Sequence, residues 1–150
     1  MEGLIVFSML TIFIACNNKT HVIDRKTMEG KNGEMKVEVL RKKQQDGILS
    51  IKATYSLRKE LFEQNKELSV QLQYKLDSSF YLLQNKDTIW PAFVLPIANG
   101  QLLTPQYIID FDQAAIKKRC TTAFKTTLGN DSLFNTSVFI NITNQPALAN

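Results

Sequence analysis

The sequence predicts an all-β domain, an antiparallel β-sandwich of about seven or eight strands, and three observations predict it. Apolar and polar residues alternate in short runs, which recur about every ten residues. Asp46-Gly47, Asn99-Gly100 and Gly129-Asn130-Asp131 punctuate those runs with turn chemistry. Segments with a helical period are few, so the connections are mostly of hairpin scale.

Taken in order, Met35, Val37 and Val39 alternate with Lys36 and Glu38, the period of a half-buried strand over 35–43. Residues 48–57 resume the pattern, with Leu49, Ile51, Ala53, Tyr55 and Leu57 on one face and Ser50, Lys52, Thr54 and Ser56 on the other. Asp46-Gly47 between them signals a hairpin, because glycine tolerates the positive φ of a tight turn. Residues 58–67 are charged and read as one helical turn or a long loop. Leu68, Val70, Leu72, Tyr74 and Leu76 alternate with Ser69, Gln71, Gln73 and Lys75, which predicts a third strand stopped by Asp77-Ser78-Ser79.

A short apolar run at 80–83 precedes the polar turn 84–87. The segment 89–98 would pass for a core helix without Pro91 and Pro96. Each proline removes an N–H and disfavours helix in the residue before it, so the segment reads as extended chain at a sheet edge. Trp90 is expected there as a buried core anchor. Residues 107–111 predict a strand ending in Asp110-Phe111-Asp112, and 113–119 a short helix. Cys120, Thr122, Phe124, Thr126 and Leu128 predict another strand, and Val138, Ile140 and Ile142 share a face in the last one. The pattern suggests a sandwich of immunoglobulin-like or transthyretin-like kind, with a small barrel as the competing closure.

Ahead of this domain, residues 4–15 are apolar apart from the hydroxyls of Ser8 and Thr11, and they end at Ala15-Cys16. At a helical rise of about 1.5 Å each they cover about 18 Å, short of the ~30 Å hydrocarbon core, so they read as a signal-peptide core rather than a membrane span. Phe13-Ile14-Ala15-Cys16 resembles the lipobox of bacterial lipoproteins, although Phe13 stands where leucine is usual and Met1-Glu2-Gly3 has no Lys or Arg. The resemblance implies cleavage after residue 15, acylation of Cys16 and attachment to a lipid bilayer. It also divides the chain into a signal segment 1–15, a flexible polar tether 16–33 and a sandwich domain 34–150.

Asn17-Asn18-Lys19 lacks both an acidic run and an aspartate after the cysteine. By resemblance to lipoprotein sorting rules, that implies an outer-membrane anchor facing the periplasm. Asp87-Thr88-Ile89 and Asp131-Ser132-Leu133 resemble the O-glycosylation sequence of exported Bacteroidota proteins, which marks Thr88 and Ser132 as acceptors.

The chain carries 18 Lys and Arg against 14 Asp and Glu, a formal charge of +4. Its two tight basic clusters, Arg41-Lys42-Lys43 and Lys117-Lys118-Arg119, are not interleaved with aromatics, so no nucleic acid is expected as a partner. The balance suits weak attraction to anionic surfaces such as phospholipid headgroups. The single histidine, His21, lies in the expected tether, which argues against Ser-His-Asp or Cys-His catalysis. With Cys16 acylated, Cys120 has no partner for a disulfide and reads as a small buried hydrophobe.

Asp110 and Asp112, two apart on a strand, share a face and are candidates for a cation site or an acid and base pair. A solvated strand end is the simpler account, and no metal or cofactor is expected. The function these features suggest is a non-enzymatic, lipid-anchored module that binds another envelope protein. One version is an accessory of a secretion machine, since the layout resembles the small sandwich lipoproteins of type VI secretion systems. An alternative is a small-ligand or glycan-binding lipoprotein with Trp90 and Phe93 lining a cleft, and Asp110 and Asp112 at the same surface.

Overall fold

The computed structural model describes residues 20–30, 32–42, 47–65, 67–74, 76, 78–117, 120–127 and 137–142. Its strands are β1 (Thr20–Gly30), β2 (Gly33–Lys42), β3 (Ile48–Leu57), β4 (Phe80–Gln84), β5 (Asp87–Ile89), β6 (Phe93–Ile97), β7 (Gln106–Asp112), β8 (Thr122–Thr126) and β9 (Val138–Ile140). Two short helices, α1 (Lys59–Gln64) and α2 (Leu68–Tyr74), fill the connection from β3 to β4. A 5-stranded sheet in the order β1-β2-β3-β7-β6 faces a 4-stranded sheet in the order β5-β4-β8-β9. Every strand pair is antiparallel, as an all-β sandwich requires.

The hairpin of β2 and β3 runs in register from Gly33 opposite Leu57 to Leu40 opposite Ser50. Its period-two pattern puts Met35, Val37 and Val39 of β2, and Leu49, Ile51, Ala53 and Tyr55 of β3, into the core. Gly47 has φ of 89°, the conformation for which a turn glycine is selected, whereas Asp46 lies outside the described residues. β7 adds Tyr107, Ile109 and Phe111 from the same sheet, and Phe80, Leu82, Phe124, Val138 and Ile140 face them from the other. Phe80 stacks on Phe124 of its own sheet at 6.0 Å and meets Tyr107 across the gap, tilted, at 5.2 Å. Tyr55 also spans the sheets, its hydroxyl donating to Thr126 Oγ1 at 3.2 Å.

Two expected segments fold differently. Residues 20–30, read as part of a flexible tether, form β1 along the whole length of β2, so the sandwich includes this segment ahead of the expected start at residue 34. A register shift between Val22 and Asp24 breaks the alternation, and of this strand only Ile23 and Met28 pack against the core. Asp24 instead accepts from Asn141 N at 2.8 Å, joining this edge to the chain just after β9.

The second departure is the strand expected over 68–76, where α2 forms instead. Leucines at 68, 72 and 76 satisfy a spacing of two and a helical spacing of four equally. The intervening residues decide, and Val70 and Tyr74 point to solvent while Leu68, Leu72 and Leu76 are buried. The Tyr107 hydroxyl donates to Leu72 O at 2.7 Å, supplying a partner for a carbonyl in the last helical turn.

Candidate functional site

The expected edge strand is present as β6, the outermost strand of the five-stranded sheet. Its proline, Pro96, is tolerated there because an edge has one side on which no backbone donor is needed. In β6, Val94 packs against the core while Phe93, Leu95 and Ile97 alternate onto the outer face. Their cross-strand partners on β7 are Asp110, Ile108 and Gln106. Phe93 and Leu95 keep 58% and 48% of their surface in water, so an apolar strip of Phe93, Leu95, Ile97 and Ile108 borders an open strand edge. Leu95 and Ile108 are members that periodicity alone did not mark, since a run apolar on both faces hides which side is covered.

Trp90 corrects an expectation. It is 55% exposed instead of buried, because Ile89 takes the inward position at the end of β5 and Trp90 follows on the outside. Its ring lies 5.3 Å from that of Tyr81, tilted by 50°, on the outer face of the four-stranded sheet. Phe93 faces outward from the opposite sheet. Trp90 thus follows the edge strand β5 of one sheet, and Phe93 opens the edge strand β6 of the other.

The carboxylates of β7 are each committed to a structural partner. Asp110 accepts from Ser50 Oγ at 2.6 Å, across the β3 to β7 pairing. Asp112 accepts from Ala114 N at 2.9 Å, capping the 3-10 turn Gln113–Ala115 that replaces the expected short helix. Asp87 lies in the other sheet and is ion-paired with Lys117 at 2.5 Å. That pairing holds the Lys117 ammonium above its ordinary pKa. Among the described residues, no group of three or more His, Cys, Asp or Glu is arranged to hold a metal. Asp77 lies outside them.

Thr88 is exposed on β5, opposite Leu83. Ser132 and Cys16 lie outside the described residues. His21 is exposed on β1 opposite Arg41, not on a tether. Cys120 is a free, half-buried thiol. No helix among the described residues is long and apolar enough to cross a membrane.

A charged network absent from the sequence reading lies on the outer face of the five-stranded sheet. Glu38 is nearly buried between Arg25, whose Nη2 stands 2.8 Å away, and Lys36, whose Nζ stands at 3.1 Å. Burial opposes ionisation of Glu38, but the hydrogen bonds and charges of Lys36 and Arg25 outweigh it and hold the carboxyl below its ordinary value. Burial raises the phenol pKa values of Tyr55 and Tyr107, so both stay neutral in the core. Comparison with protein-family models, curated proteins and solved structures gives no match to this chain.

Proposed function

We propose that this protein is a non-enzymatic, lipid-anchored module of the bacterial cell envelope, held at the outer membrane through Cys16 and facing the periplasm. In that role it docks another envelope protein along β6. One observation carries the reading: an edge strand with two half-exposed apolar side chains, Phe93 and Leu95, whose outer face continues onto Ile108. Open edges recruit strands, and an apolar strip beside one adds burial to the backbone pairing. A partner that extends the sheet here covers Phe93 and Leu95 and leaves the core untouched.

The likeness to type VI accessory lipoproteins loses its tether, because residues 20–30 belong to the sandwich. The test is photocrosslinking from positions 93 and 95 in intact cells, with Thr27, exposed on β1 at the opposite edge, as the control position. A discrete adduct from 93 and 95 that is absent from 27 supports the reading. Equal or no adducts at all three positions refute it.

A ligand-binding reading is favoured by one separate observation, the exposed Trp90 beside Tyr81. Trp90 is the sole tryptophan, so its fluorescence reports this face directly. Saturable quenching by an oligosaccharide, lost in Tyr81→Ala, would favour that reading.

A further inference from the structure

The two basic clusters are far apart in the chain, and the fold brings their described members to one end of the sandwich. Arg41 and Lys42 finish β2 opposite His21 and Thr20 of β1. At the same end, Ile48 opens β3 opposite Asp112, and Gln113 N donates to Gly47 O at 2.8 Å. Lys117 follows two residues after the 3-10 turn and is clamped by the buried Gln84. The Gln84 Oε1 accepts from Lys117 N at 2.8 Å, and its Nε2 donates to Lys117 O at 3.1 Å and to Thr122 Oγ1 at 2.7 Å. Gln84 ends β4, and Lys86 stands in the turn that follows it.

His21, Lys86 and Lys117 are exposed at this end, and Arg41 is half-buried. Of the acidic groups beside them, Asp87 is paired with Lys117, Asp112 caps the 3-10 turn and Asp110 accepts from Ser50, and their charges offset part of the positive charge at this end. The far end is different. Glu29 faces Glu34 across the β1 to β2 turn, and Glu60 and Glu63 sit on α1 with Arg58 and Lys59. Positive charge is therefore concentrated toward one end of the strand axis.

The chain also enters the sandwich at the basic end. Thr20 opens β1, and Cys16 precedes it by four residues, no more than about 14 Å of extended chain. A tether reaching to residue 33 would have allowed a stand-off of roughly 55 Å, well beyond a screening length of about 8 Å at physiological salt.

We propose that this basic end is a docking surface for anionic phospholipid headgroups, so that the module sits on the bilayer with its strands directed away from it. The inference deepens the membrane-tethered reading. It rests on that reading for how the end reaches the lipid, but the attraction needs no acyl chain. Each Lys or Arg brought close to an anionic surface strengthens binding about fivefold, so three together amount to roughly a hundredfold.

The test uses the full chain carrying Cys16→Ser, so that acylation contributes nothing. Co-sedimentation is compared on vesicles containing phosphatidylglycerol and on pure phosphatidylcholine, which subtracts any binding through residues 4–15. The expected result is preference for the anionic vesicles, lost on raising salt from about 0.1 M to about 1 M, where the screening length falls from about 10 Å to about 3 Å. Adding Arg41→Gln, Lys86→Gln and Lys117→Gln should reduce anionic binding roughly a hundredfold. Arg58→Gln, Lys59→Gln and Lys125→Gln, which remove the same charge away from this end, should leave it within about threefold.

Equal binding to both vesicle types overturns the proposal, as does equal loss in the two triple variants. If the first triple variant does not fold by circular dichroism, the salt dependence of the parent chain decides alone. The intact mass of the wild-type chain from membranes reports Cys16 acylation separately, so failure of the anchor and failure of the basic surface are distinguishable.

Discussion

Replacing Leu72 with alanine and, separately, Val70 with alanine tests the largest local departure of this fold from its sequence pattern. Leu72 is 3% exposed and lies in the core with Leu68 and Leu76, whereas Val70 is 52% exposed on the outer side of α2. Truncating a buried leucine removes its transfer free energy and leaves a cavity, about 2–5 kcal/mol together. For a chain of this size that lowers Tm by at least about 4 °C. Val70→Ala removes little buried surface and replaces a β-branched residue by the best helix former, so its effect stays within about 0.5 kcal/mol. Urea unfolding followed by circular dichroism, with thermal melts alongside, measures both. If 68–76 were a strand, residues 70 and 72 would share the buried face and both substitutions would cost alike. Equal destabilisation, or a larger loss at Val70, would falsify the helical assignment.

Tyr107→Phe keeps the ring packing and removes the donor to Leu72 O, so stability should fall by about 1–3 kcal/mol, read from the urea midpoint. Gly33→Ala should be the more severe of two glycine substitutions, costing more than about 2 kcal/mol, since a Cβ there would meet the backbone oxygen of Ser56 at 2.0 Å. Gly47→Ala meets nothing within 4 Å and carries only the positive-φ penalty, about 1 kcal/mol, so similar losses at 33 and 47 would contradict the turn geometry. Because the native pKa of Glu38 is depressed, its ionised form contributes stability above the ordinary value of 4.5, and that contribution is lost as pH falls through the lower native value. Wild type should therefore exceed Glu38→Gln in stability at neutral pH, with the gap closing in acid; a gap that widens on acidification would reverse the assigned sign.

The candidate surface was partly legible in advance. Pro91 and Pro96 marked the 89–98 run as edge chain by their missing donors, and the structure places β6 at an edge. Trp90 was not legible, because bulk and apolarity say that a side chain gains by burial but not whether a core position exists for it. Ile89 and Val94 occupy the inward positions on either side, and Trp90 is left outside against Tyr81. Nor could spacing show that Asp110 and Asp112 would be drawn apart in role, one by Ser50 and the other by a turn N–H.

Local chemistry determined β2, β3 and β7: the period-two pattern leaves one register that buries most of their apolar side chains, and a slip of one residue turns that buried set to solvent. The same logic extends to β8, where Thr122, Phe124 and Thr126 face inward as their spacing requires. Only tertiary structure decided β1, whose residues are mostly polar and become a strand because β2 offers a full row of backbone partners. It also decided α2, where leucines four apart fit either period until Tyr107 offered Leu72 its hydroxyl. Long-range pairing likewise gathered Arg41, Lys86 and Lys117 at one end, since strand order, unlike strand period, is not written in neighbouring residues.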